Sequence, residues 1–187
     1  MTASSGGSFD PYRHVINPML AESRETPFDS EDHVFELKWD GTRAIAFVRD
    51  GVRFQNRRLT FIERRYPEIE VRTREDAILD GEIVVMDSGR PNFARLQERE
   101  HASDPIRIDY LSRTVPATYV VFDVLYVGGR EVMSRSLLER KAILHDLVAV
   151  NDHVVLSDVI PTRGVDYYNV VFARGLEGII AKRKASR

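Results

Sequence analysis

Residues 118–127, TYVVFDVLYV, narrow the possible folds more than any other stretch of this chain, because a single acid, Asp123, interrupts an otherwise apolar run. The run is too short to cross a bilayer, which takes ~20 apolar residues. It also lacks the polar alternation of a half-exposed strand. It therefore reads as a strand covered on both faces and closed by Gly128-Gly129, and such a strand needs packed layers on either side.

Neighbouring segments can supply those layers. Residues 43–49 and 52–56 flank Asp50-Gly51, a hairpin signal because both central positions tolerate positive φ. Residues 77–86 (AILDGEIVVM) are strand-like and lead into a turn at 87–91. Asn92 can cap a helix to about His101, with Phe93 and Leu96 inward. Ser136 and Glu139 form a capping-box pattern opening a helix to about Val148. A short strand at 154–156, a helix at 166–174 stopped by Gly175, and a last strand at 178–181 follow. Residues 59–74 read as part helical, broken at Pro67. Hairpins early and helices between later strands indicate an α+β fold with largely antiparallel sheets.

The chain has 187 residues and 43% hydrophobic content, enough for one main domain, expected over 17–187. Residues 1–16, beginning MTASSGGS, are expected to be disordered or loosely ordered, without the basic and apolar regions of a signal peptide. The absence of cysteine excludes disulfides and thiolate zinc sites, and the five histidines include no His-x-x-x-His pair. A cytoplasmic protein without membrane segments is the expectation. Net charge is −2, yet nine arginines fall within residues 43–74. Such a run suits phosphate binding and equally suits a solvated face.

Within 35–47, FELKWDGTRAIAF, lies one of only four lysines in the chain. Strand alternation turns Phe35, Leu37 and Trp39 one way and Glu36, Lys38 and Asp40 the other, so three ionisable groups face one place. Lys38 to Arg43 spells K-x-D-G-x-R, a pattern expected by chance roughly once in 10⁵ windows. It resembles the nucleophile motif of covalent nucleotidyltransferases, which include ATP-dependent DNA ligases, RNA ligases and messenger-RNA capping enzymes.

Further blocks follow in that family's order: Asn56-Arg57-Arg58, Leu79-Asp80-Gly81-Glu82, the F-D motif of Phe122 and Asp123, and Glu177-Gly178 through Lys182 as E-G-x-x-x-K. The glutamate opening the last block is more ligase-like than capping-like. Pro18 to Ala21 (PMLA), Pro27-Phe28, FARLQER and LLER are similar to the bacterial and archaeal end-joining ligases. The resemblance implies an adenylation domain of two mainly antiparallel sheets with flanking helices, ATP-grasp-like, with no OB-fold in this chain.

By that resemblance Lys38 attacks the α-phosphate of ATP to give lysyl-AMP, and Asp40 orients the lysine or a metal-bound water. A lysine amine near its usual pKa of ~10.4 must be rendered neutral by its surroundings, and arginine cannot replace it. Glu36 accepts from the adenine amino group, and Arg43 and Arg57 hold ribose, phosphate or the 5′-phosphate of a nick. Glu82 takes a ribose hydroxyl or a metal, Phe122 stacks on adenine, and Asp123 fixes local structure. Glu177 is the first choice to bind Mg²⁺ or Mn²⁺. Lys182 also belongs to the nucleotide site, although regular strand alternation would turn it away from Glu177. Lys141 is expected outside the site.

The implied partners are nicked or broken double-stranded DNA, with a separate OB-fold domain or end-joining protein, for a monomer in the prokaryotic nucleoid. Family ligases continue to a W-L-K-x-K strand that this chain does not reach, so partial activity is expected. A non-catalytic nucleotide- or DNA-binding module and a capping-type guanylyltransferase stay open as alternatives.

Overall fold

The structure, a computed structural model, describes residues 10–187. In chain order the elements are β1 (Ser30–Leu37), β2 (Thr42–Val48), β3 (Val52–Asn56), β4 (Arg72–Thr73), β5 (Ala77–Asp87), β6 (Arg90–Pro91), α1 (Phe93–Glu100), α2 (Pro105–Thr114), β7 (Ala117–Val127), β8 (Arg130–Glu131), α3 (Leu137–Leu147), β9 (Val148–Ala149), β10 (Val154–Leu156), β11 (Ile160–Thr162), α4 (Gly164–Ala173) and β12 (Ile179–Arg183).

The apolar run becomes β7, which pairs antiparallel with β5 and parallel with β10. It lies in a seven-stranded sheet of order β10-β7-β5-β2-β3, extended by β6 on β5 and β8 on β7. One face buries Ala44, Ala46, Leu79, Tyr119 and Val121 with Leu96 of α1, Leu111 of α2 and Leu144 of α3. The other carries Ile45, Phe47, Ile78 and Leu125. Each fully buried aliphatic or aromatic side chain contributes ~1.5–3 kcal/mol, so these two faces dominate stability. A second, three-stranded antiparallel sheet has β1 between β11 and β12, with α4 packed on β1.

Local chemistry accounts for the joints. Asp50 (φ 53°) and Gly51 (φ 120°) make the hairpin turn between β2 and β3. Ser136 and Glu139 complete the capping box of α3. Asn92 caps α1 by accepting from the Arg95 N–H.

Three expectations need correction. Residues 59–74 form only a 3₁₀ turn at Glu63–Arg65 and the short β4, because Pro67 disfavours helix at Tyr66 while Ile62, Tyr66 and Ile69 are already buried. In α1 the inward residues are Leu96 and Arg99, whereas Phe93 is exposed. Arg99 replaces an apolar contact by pairing with Glu68 and donating to the carbonyls of Arg65 and Val115. The sequence reading also has no element where α2 forms, although Asp104 caps it and Pro105 opens it.

Residues 1–9 of the segment expected to be loosely ordered lie outside the described residues. Its remainder is anchored: Tyr12 is buried beside Ile45 and Phe47, and Gln55 exchanges hydrogen bonds with the Ile16 backbone at 2.9 and 2.6 Å. No helix among the described residues is long and apolar enough to cross a membrane.

Candidate active site

The two sheets meet where β1 ends and β2 begins. Leu37 pairs with Ile179, and one further backbone bond, from the Lys38 N–H to the Gly178 carbonyl at 2.9 Å, extends this ladder past the end of β12. That bond sets Lys38 beside Glu177. The Lys38 ammonium donates to the Glu177 carboxylate, with both side chains still accessible to ligand.

From Lys38 the chain crosses onto the large sheet. A Cβ on Gly41 would stand 2.3 Å from the Ile83 carbonyl oxygen and 2.8 Å from Val84 Cγ1, so only glycine lets the turn lie against β5. Trp39 donates its indole N–H to Ser157 Oγ at 3.2 Å, tying the turn to the segment after β10.

On the sheet Arg43 is in register with Glu82, and its guanidinium grips Asp80, the diagonal neighbour. Its Nε and Nη2 lie 2.5 and 2.6 Å from the two carboxylate oxygens. Burial opposes the charge on Arg43, but the hydrogen bonds and charge of Asp80 outweigh it and raise its proton affinity. Glu82 is half-buried without such a clamp, and burial pushes its carboxyl up to about 8, against the pull of Arg43.

Phe122 enters through a β-bulge: Gly81 faces Val121 while Asp80 faces Asp123, leaving Phe122 as the extra residue. Its ring centroid lies 4.5 Å from Arg43 Cζ and 4.4 Å from Lys182 Nζ. Asp123 accepts instead from Arg140 Nε and Nη2, at 2.8 and 2.9 Å, which binds α3 to β7.

Glu36 is only 2% exposed although charged. Its Oε1 has Lys141 Nζ at 2.8 Å and Lys182 Nζ at 3.0 Å. These are ion-pair contacts rather than aligned hydrogen bonds. One expectation is corrected here. Lys141 lies inside the cluster. Lys182 also enters it, because Glu177 precedes β12, so strand alternation does not relate the two residues.

Asp40 is half-buried and close enough to Glu82 to oppose its ionisation, but it is not the partner of Lys38, a place taken by Glu177. Arg57 stands exposed in the turn after β3, where Asn56 pairs with Ala44, at the Arg43 end of the sheet. It makes no ion pair with the cluster among the described residues. Nor do three carboxylate or imidazole groups converge there into a metal cage. Mg²⁺ needs no such cage, since it takes one or two carboxylates together with substrate phosphates.

Lys38 pairs with Glu177 at the junction of two sheets, and the sequence that builds this junction matches a known family. The family described as ATP dependent DNA ligase domain matches residues 18–187.

This chain belongs to that ligase-domain family.

Among its curated relatives, the SPbeta prophage-derived DNA ligase-like protein LigB of Bacillus subtilis is 30% identical, over 91% of this chain and 62% of that protein. DNA ligase C of Mycobacterium tuberculosis is 31% identical, over 92% and 51%. A solved structure of mycobacterial DNA ligase D complexed with ATP and MES aligns with a TM-score of 0.73 at 24% identity, covering 96% of this chain and 57% of that one, which speaks for the fold. The chain thus spans 51–62% of the length of these three relatives.

In this ligase-type domain three members of the cluster escaped the sequence reading. Asp80 stands inside the quoted L-D-G-E block, two residues from Glu82 and so on the same strand face. Lys141 had one readable signal, the scarcity of lysine: three of the four lysines converge on this site. Ser157 had none, since a lone serine after a short strand marks nothing.

Proposed function

We propose that this domain carries out nucleotidyl transfer for an ATP-dependent DNA ligase, with Lys38 as the residue that receives AMP. The observation supporting this most directly is the pairing of Lys38 with Glu177 across the junction of the two sheets. Only a deprotonated amine has a lone pair to offer, so this ion pair represents the protein before attack. In the reaction the Lys38 nitrogen bonds to the α-phosphorus, the bond from that phosphorus to the bridging oxygen breaks, and pyrophosphate leaves. One ammonium proton passes to solvent before the attack, and a second leaves the nitrogen as the lysine becomes the phosphoramidate.

Glu177, with Glu82, is the proposed holder of Mg²⁺ or Mn²⁺, which supplies charge compensation at the α-phosphate and leaving group. Arg43 uses its Nε and Nη2 on Asp80, and its Nη1 edge is left to meet a ribose or phosphate oxygen. Phe122 offers its ring to the base, and Glu36 accepts from the adenine amino group. Asp40 acts through water rather than by direct contact with Lys38. Exposed Arg57 is assigned to the 5′-phosphate of nicked DNA, where phosphate contacts set register. AMP then passes to that phosphate, and attack by the 3′-hydroxyl expels AMP and seals the strand.

The test is transfer to DNA. Protein charged with ATP labelled at its α-phosphate is freed of nucleotide and mixed with a 5′-phosphorylated nicked duplex. Label moving from protein to DNA supports the reading. Label that never leaves the protein, even after a catalytically complete family ligase has been shown to transfer under the same conditions, contradicts the DNA part of it.

A further inference from the structure

The geometry points to Lys141 as a positioning residue that holds Glu36 in place as an acceptor and so sets the preference for adenine over guanine. This inference rests on the reading of Glu36 as the residue that meets the base. At 2% exposure a lone carboxylate is strongly disfavoured without a partner charge. Lys141 Nζ at 2.8 Å and Lys182 Nζ at 3.0 Å supply the compensating charge.

The two lysines are not equivalent. Lys182 also lies over the Phe122 ring and in the field of Asp80, so its charge is shared. Lys141 is itself half-buried, and burial pulls its ammonium down while Glu36 holds it up. Its place is fixed from behind. Arg140, the preceding residue, is clamped to Asp123, and Leu137 and Leu144 bury α3 on either side. The helix therefore delivers one cation to one carboxylate.

The consequence for the base follows from donor and acceptor inventory. An ionised carboxylate only accepts, whereas a protonated one also presents an O–H donor. Adenine offers an amino donor where guanine offers a carbonyl acceptor. Anionic Glu36 therefore attracts adenine and repels guanine. Without the Lys141 contact, Glu36 is no longer held as an acceptor facing the amino group, and its discrimination against guanine falls.

Equilibrium binding of ATP and of GTP, measured for the wild-type chain and for Lys141→Met, Lys141→Gln and Lys141→Arg, tests this. Melting curves identify folded variants. The ATP-to-GTP affinity ratio should fall by about tenfold in the Met and Gln variants, the size of one misplaced hydrogen bond, and be restored by Arg. An unchanged ratio, equal losses for both nucleotides, or a wild-type chain without ATP preference would overturn the inference. Because binding needs no chemistry, absence of label on Lys38 would defeat the catalytic reading while leaving this result to stand by itself.

Discussion

Lys38 and Glu177, 139 residues apart, are brought into an ion pair by one backbone hydrogen bond, from the Lys38 N–H to the Gly178 carbonyl. That bond extends the β1–β12 ladder just beyond its last regular pair, so the pairing of two strands places Lys38 beside its carboxylate. Glu177→Gln keeps the shape and removes the charge. The initial rate of adenylate formation on Lys38 should fall by about 100-fold or more, as for loss of one preorganised electrostatic group. A change of less than about threefold would remove Glu177 from the chemistry.

Arg43 and Asp80 form the bidentate pair beneath the site. Asp80→Asn leaves a largely buried guanidinium without its counter-charge, and urea unfolding should show a loss of about 3 kcal/mol. Loss of nucleotide binding should accompany it, because Arg43 would then be free to leave Phe122.

Gly41 lies against β5 with no room for a methyl group. In Gly41→Ala the nearest obstacle is the Ile83 backbone oxygen, which cannot rotate away, so the turn bearing Lys38 must shift. A stability loss of about 2 kcal/mol is expected, together with slower adenylate formation. Normal stability and rate would show that the turn moves without consequence.

Glu82 predicts a pH dependence. Its carboxyl is raised by burial from 4.5 to about 8, so the folded chain binds this proton more tightly than the unfolded chain does. Between those values the folded state holds more protons, and the contribution of Glu82 to stability declines as pH rises, levelling off above about 8. Glu82→Gln removes this decline. Urea midpoints for both proteins, measured between about pH 5 and about pH 9, should therefore diverge with rising pH in favour of the variant. Parallel curves would contradict the assignment.

Much of this architecture was legible where one local rule acts alone: the Asp50-Gly51 turn, the Ser136–Glu139 capping box, and the continuous apolar run of β7. The site was legible as ordered motifs, which carried Lys38, Glu36, Glu82, Phe122, Glu177 and Lys182 onto one cluster. What escaped depends on contacts between distant elements. Lys141 gains its meaning only when α3 docks on β7 through Arg140 and Asp123. Strand alternation does not relate Lys182 to Glu177, because Glu177 lies before β12 begins. Arg99 violates the hydrophobic pattern of α1, since carbonyls from other segments satisfy it.

Peptide mapping after incubation with α-labelled ATP and Mg²⁺ locates the adenylyl group. One such group is expected, carried by the peptide containing Lys38, present with wild-type protein and absent from Lys38→Ala. An adenylyl group on any other residue, or no modification of a folded chain that binds ATP, would contradict that expectation.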